Sequence, residues 1–202
     1  TDLDIDVKFK GKTQEDILQS LNGTIVLKGD SMILMGYNID ELISKFERSQ
    51  NFNLVDLGAV LVAGPAGILF TKGSDYAMIL VNNKNDSSII NKFYSEWYIE
   101  NGLIIAKDFA FATQENRIAI DGWVNLNKDS LNIMIALIDE VGCSIASQSL
   151  EGNLDKPKPG KVKLVKTAIA PVTNLADKTL KIKCDVFYDG VVKPTPAAEK
   201  KE

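Results

Sequence analysis

Apolar and polar residues alternate at the start of the chain, where Leu3, Ile5, Val7 and Phe9 are separated by Asp4, Asp6 and Lys8. A period of two places each set on its own face, which predicts a half-buried strand ending at Gly11. Thr13-Gln14-Glu15-Asp16 has the form of a capping box, and Ile17, Leu18 and Leu21 continue it as a short helix. Asn22-Gly23 predicts a turn into a strand over TIVLKG, and SMILMG reads as a further short strand. A second helix start lies at Asn38, with Ile39, Leu42, Ile43 and Phe46 at helical spacing. Residues 57–70, LGAVLVAGPAGILF, carry no charge. A helix there would span about 21 Å, short of the roughly 30 Å of a hydrocarbon core, and Pro65 between glycines would break it. Two short helical pieces packed on a core are the expected form. An apolar flap touching membrane or lipid is the other reading.

From Ser88 to Leu154 the period changes to two and stays there. Phe93, Ser95, Trp97 and Ile99 share one parity, and Ile118, Ile120, Val124 and Leu126 share another face, opposite Arg117, Asp121 and Asn125. Residues 133–138 are apolar on both parities, as in a strand covered on both sides. Asn101-Gly102, Gln114–Asn116, Asn127–Asp129 and Val141-Gly142 punctuate the pattern, so the strands predict an antiparallel meander rather than βαβ units. Residues 156–166, rich in Pro and Lys, read as a connector. Val162, Val165, Ile169, Val172 and Leu175 predict a helix kinked at Pro171, followed by a last strand over KIKCDVFYDG and a disordered tail over 194–202.

The expected fold is therefore α+β. A bent, groove-like antiparallel sheet carries helices at about 13–21, 38–48, 54–70 and 161–178 on its concave face. It forms one domain over 1–193, divided into 1–36, 37–81, the meander 88–154, and a closing helix and strand over 161–192. The inward residues of the meander, Phe109, Phe111, Ile118, Ile120, Val124, Ile133 and Ile135, are the candidate apolar surface.

Composition narrows the chemistry. With 202 residues, 45% hydrophobic and 25% charged, the chain has the proportions of a folded domain rather than a disordered one. Lys and Arg number 23 against 27 Asp and Glu, a net charge of −4, which argues against a nucleic-acid partner. There is no histidine, so Ser-His-Asp and Cys-His nucleophiles and the commonest transition-metal ligand are missing. No phosphate-loop spacing occurs, and no carboxylate pair is marked out for acid–base work. Neither a metal, a cofactor nor a catalytic activity is expected. Lys156, Lys158, Lys161, Lys163 and Lys166 form a basic run in an acidic chain, either plain solvated surface or a contact for anionic lipid headgroups. Cys143 and Cys184 are either two buried thiols or a bridge, depending on compartment. The first residues lack the basic start and apolar core of a signal peptide and open within an alternating pattern, so a longer protein with any anchor upstream is expected.

Several segments together go beyond periodicity. SLNGTIVLKG (20–29) followed by GYNIDELISKF (36–46) resembles the C-terminal region of the AsmA family of bacterial envelope proteins. QNFNLVDLGAVLVAGPAGILFTKG, ENGLIIAKDFAFATQENRIAIDGWVNL, ALIDEVGCSIASQSLEGNLDKPK and CDVFYDGVV are similar to that family in the same order, over about residues 13–193. The resemblance implies a periplasmic domain of a protein anchored in the inner membrane and related to TamB. Such proteins assist phospholipid transport between membranes and outer-membrane assembly, with an apolar sheet that takes acyl chains. It also implies a Cys143–Cys184 disulfide, since both cysteines stand where family members often carry them. Phospholipid or another acyl-chain ligand and envelope proteins are the implied partners. The alternative is a structural or protein-interaction module with a filled core, which caps a longer groove or docks an envelope partner.

Overall fold

The structure, a computed structural model, describes residues 1–35, 38–41, 43–44, 87–165 and 184–195. The apolar stretch 57–70, most of the helices expected over 38–48 and 161–178, and tail residues 196–202 lie outside the described residues.

Among the described residues, nine strands make one open antiparallel sheet: β1 (Asp2–Lys8), β2 (Asn22–Met35), β3 (Ser87–Glu100), β4 (Leu103–Ala112), β5 (Arg117–Asn125), β6 (Ser130–Ile138), β7 (Ser144–Asn153), β8 (Lys156–Pro159) and β9 (Lys163–Leu164). Spatial order follows chain order from β1 to β8, and β9 also pairs with β7. Tight turns set this up. Asn101 (φ 49°) and Gly102 (φ 74°) both take the left-handed backbone that a two-residue hairpin turn requires. The one described complete helix, α1 (Gln14–Gln19), is closed by the expected capping box: the Asp16 amide donates to Thr13 Oγ1 at 3.1 Å, and the Thr13 amide to Asp16 Oδ2 at 3.2 Å. The Thr13 side chain first, and then the Thr13 and Lys12 amides that donate to it, hold the Asp16 carboxyl below its ordinary range.

Several elements differ from the sequence reading: the expected connector over 156–166 holds β8 and β9, and the described part of the expected last strand, 184–190, is irregular apart from one bridge between Val186 and Cys143. TIVLKG and SMILMG are one 14-residue strand, paired with β3 throughout. Its continuity depends on Ser31, whose φ of 52° lets the chain pass from Gly29 to Met32 without leaving the ladder. Asn22-Gly23 lies inside that strand and not at a turn. Residues 161–165 do not begin a helix, because Lys163–Leu164 pair with Ser147 and Ala146 of β7. The Lys-Val-Lys-Leu alternation there serves a strand as well as the wider spacing serves a helix, and the open edge of β7 decides between them. Helices packed on a concave face are not confirmed: α1 buries none of its residues, and of the second expected helix only Ile39 and Ile43, both helical and buried in the apolar cluster, stand for it among the core residues.

The register places Leu3, Ile5 and Val7 beside Leu27, Ile25 and Gly23, then Ser95, Trp97 and Ile99 of β3. Continuing across, Phe109 and Phe111 meet Ser95 and Phe93, Phe111 meets Ile118, Ile120 meets Ile135, and Ile133 meets Leu150. Directly paired residues share a face, so one apolar face runs from β1 to β7. Bulges between Glu96 and Trp97, between Ile105 and Ala110, and between Leu137 and Ile138 locally bend the strands.

The opposite face is shallow at its centre. Ala110, Ala119 and Ala136 lie side by side across β4, β5 and β6, and residues 184–195 pack over them through Tyr188 and Val192. A disulfide joins Cys143 to Cys184, with Cα atoms 5.9 Å apart, at the start of this strap. The Phe187 and Tyr188 amides both donate to the Gly142 carbonyl, at 2.9 and 3.1 Å. A Cβ on Gly142 would collide with the Tyr188 carbonyl, and its φ of 91° already suits glycine.

Candidate apolar site

All seven residues expected to face inward do share one face, and all seven belong to one apolar cluster. They are not equally available. Phe109, Phe111, Ile118, Ile120 and Ile135 are each 4% exposed or less, whereas Val124 and Ile133 are only partly buried. The division follows position along the strands. The five buried residues lie toward the 113–116 and 139–143 turns, where Ile39, Ile43 and Ile90 join the same cluster. Phe93 and Trp97 both meet the Phe109 ring edge-on, with centroids 5.5 and 5.6 Å away, and lock it in place. These five positions are packed core. A filled core of this kind has no room for a ligand.

Toward the other end and the β1 edge the cover thins, although Ile99, Ala106 and Leu131 stay buried. Ile25, Leu27, Trp97, Ile104, Val124 and Ile133 are partly exposed, and Leu3 and Ile5 are 62% and 58% exposed. Sequence reasoning did not single out Leu3, Ile5, Ile25, Leu27 or Ile104 as a surface. The signal was their shared parity with Trp97 and Val124, visible only once β1 and β2 are placed beside β3. Polar groups on the apolar face are satisfied where they occur. Trp97 Nε1 donates to Ser95 Oγ at 2.7 Å, and Gln148 Nε2 to the Gly160 carbonyl at 2.9 Å.

A second concavity of about 360 Å³ lies at the closed end, between the 113–116 and 139–140 turns and Pro194-Thr195. Arg117, the cation that lines it, donates from its two terminal nitrogens to the Val192 carbonyl at 3.0 Å and the Asp139 carbonyl at 2.5 Å. Burial pulls its pKa below the ordinary value. The guanidinium is committed to holding the strap down. The strap is held again on the alanine floor: Tyr188 Oη donates to Asp108 Oδ1 at 2.5 Å, and the Val191 amide to Asp108 Oδ2 at 2.9 Å. Burial first, and then the Asp108 hydrogen bond, push the Tyr188 phenol well above its ordinary pKa. At the chain's described C-terminal end, Thr195 Oγ1 donates to the Thr113 carbonyl at 2.7 Å.

Among the described residues, no group of three or more His, Cys, Asp or Glu side chains is placed to hold a metal ion, and no helix is long and apolar enough to cross a membrane. No family model, no curated protein and no solved structure matches this chain. The class of the molecule therefore rests on its fold: an open antiparallel meander with one apolar face.

Proposed function

We propose that this chain is a non-catalytic domain that shields acyl chains on the open half of its apolar face, in the periplasm, as part of an AsmA-like protein that assists phospholipid transport and outer-membrane assembly. The observation that carries this reading is the incompletely covered part of the apolar face, where Leu3 and Ile5 on the edge strand β1 are exposed and Ile25, Leu27, Trp97, Ile104, Val124 and Ile133 are only partly buried. Soluble monomers rarely leave a contiguous apolar surface uncovered without a use for it. Adjacent strands lie about 4.8 Å apart, so β1 to β6 spans roughly 24 Å. One leaflet of a bilayer core is about 15 Å deep, so an extended acyl chain fits across these strands. At about 0.8 kcal/mol per buried methylene, eight methylenes contribute about 6 kcal/mol. The Cys143–Cys184 disulfide suits an oxidising compartment.

The test is native mass spectrometry of the unreduced chain, with solvent extraction of anything released, followed by titration with a fluorescently tagged phospholipid. Near-stoichiometric phospholipid, displaced in Ile5→Asp and Val124→Asp, is the expected outcome. A bare mass together with no uptake of the tagged lipid would sink this reading. A second reading, a module with a filled core that docks an envelope protein, is favoured by a separate observation: among the described residues, nothing pairs with the outer edge of β1.

A further inference from the structure

Strand β1 has a neighbour on one side only. It pairs with β2 from Asp2 opposite Lys28 to Lys8 opposite Asn22, and among the described residues nothing pairs with its other side. Six of its seven residues are exposed. Such an edge presents a row of N–H and C=O groups spaced for another strand. The opposite edge of the sheet is built differently. β8 has four residues, of which Pro157 and Pro159 have no N–H to donate, and β9 has two. One edge is closed to strand addition, and the other is open over seven residues.

The side chains of β1 define which strand fits. Leu3, Ile5 and Val7 continue the apolar face, while Asp2, Asp4 and Asp6 line the other face at every second position. Their β2 neighbours on that face are Lys28, Val26 and Thr24, so the row is answered by one cation across the ladder, with Lys8 3.6 Å from Asp6 within β1 itself. Like charges directly opposite one another destabilise a sheet. A second copy of β1, set in the register that keeps the apolar face continuous, would bring aspartate against aspartate. A strand alternating Lys or Arg with apolar residues meets carboxylates on one face and Leu3 and Ile5 on the other.

We propose that the outer edge of β1 binds an extended segment of a protein partner in which basic and apolar residues alternate, adding it to the sheet as a further strand. The proposal rests on the second reading above and is independent of lipid on the apolar face. Backbone pairing supplies the affinity, and the alternate side chains supply the selection.

The test titrates the full chain with three short peptides: one alternating lysine and valine, one with glutamate in place of lysine, and a lysine–valine peptide interrupted by prolines. The lysine–valine peptide is expected to bind, to slow amide exchange along β1, and to weaken as salt is raised. The glutamate peptide should bind about tenfold more weakly, and the proline peptide should not bind. The triple variant Asp2→Lys, Asp4→Lys, Asp6→Lys, checked by circular dichroism for an intact sheet, should reverse the preference. Undiminished binding of the proline peptide, or of the lysine peptide to the triple variant, would overturn the β1 assignment while leaving docking elsewhere on the protein. Failure of every peptide to bind removes strand addition at β1, and the docking reading is then judged by protein capture on the other faces. Self-association lost in Leu3→Asp would also overturn the proposal, in favour of a second copy as the occupant.

Discussion

At the end of the sheet that carries the 113–116 and 139–143 turns, both faces are covered. Ile39 and Ile43 pack on one side of Phe93, Phe109, Phe111 and Ile118, and residues 184–195 lie over Ala110, Ala119 and Ala136 on the other. Toward the 101–102 and 126–129 turns the same alternation continues with Ile99 and Leu131 still buried but Ile104 and Val124 only partly so, while Leu3 and Ile5 on the edge strand β1 are more than half exposed, and Tyr98 and Trp123 on the outer face are each 37% exposed. One pattern of residues thus makes a core in one place and a surface in another. The difference lies in what is laid over the strands, since a period of two states only which residues share a face. Buried packing is concentrated at the closed end, and exposed apolar surface at the β1 edge.

The largest test of this contrast is a pair of truncations. Phe111→Ala leaves a cavity in fully buried packing and is expected to cost about 3–5 kcal/mol, whereas Ile5→Ala at the open end should stay within about 0.5 kcal/mol, both read by denaturant unfolding. Equal losses would mean that the open end is also core.

The strap gives the next effect. Replacing both cysteines by serine releases a 41-residue separation and is expected to cost up to about 4 kcal/mol of unfolding free energy in the chain-entropy picture. Amide exchange should rise first over residues 184–195 and over the Ala110, Ala119 and Ala136 floor, leaving β1–β2 unchanged. Uniform acceleration over the sheet would show that the two ends unfold as one.

The smallest effect is a pH dependence. The Tyr188 phenol has its pKa raised in the folded chain by burial and by its bond to Asp108. A raised pKa means that the folded state favours the neutral form. Its contribution is therefore complete below the ordinary phenol value of 10.0 and declines as pH rises beyond it. Tyr94, also raised by burial and by Glu96, adds to the same slope. Tyr188→Phe should flatten the alkaline loss of stability measured between about pH 9 and 11, at some cost in stability at neutral pH from the lost hydrogen bonds. An unchanged slope would place the alkaline sensitivity elsewhere.

Much of the sheet was legible in the chain because its signals are local. Asn101-Gly102 specifies a hairpin, and parity within a strand specifies that Phe93 and Trp97, or Ile118 and Ile120, share a face whatever covers it. Thr13 and Asp16 satisfy each other within one helical turn, so the start of α1 was readable too. Three features depend on partners distant in sequence. Val162, Val165 and Leu164 fit both periods, and the edge of β7 makes Lys163–Leu164 a strand. Gly29 and Ser31 look like a strand end until β3 runs past them. Ala110, Ala119 and Ala136 carry no signal as a group, because only the register brings them side by side for the strap to cover.

By itself the sequence determined the meander, its turns and which residues within each strand share a face, since turn chemistry and alternating side chains follow from neighbouring residues. Tertiary structure alone decided which part of that face is filled, which edge is free, and that Asp108, Arg117 and the Cys143–Cys184 bridge hold residues 184–195 on the back of the sheet. Burial and pairing depend on what a second, distant segment covers, and a one-dimensional pattern records only a residue's preference for being covered.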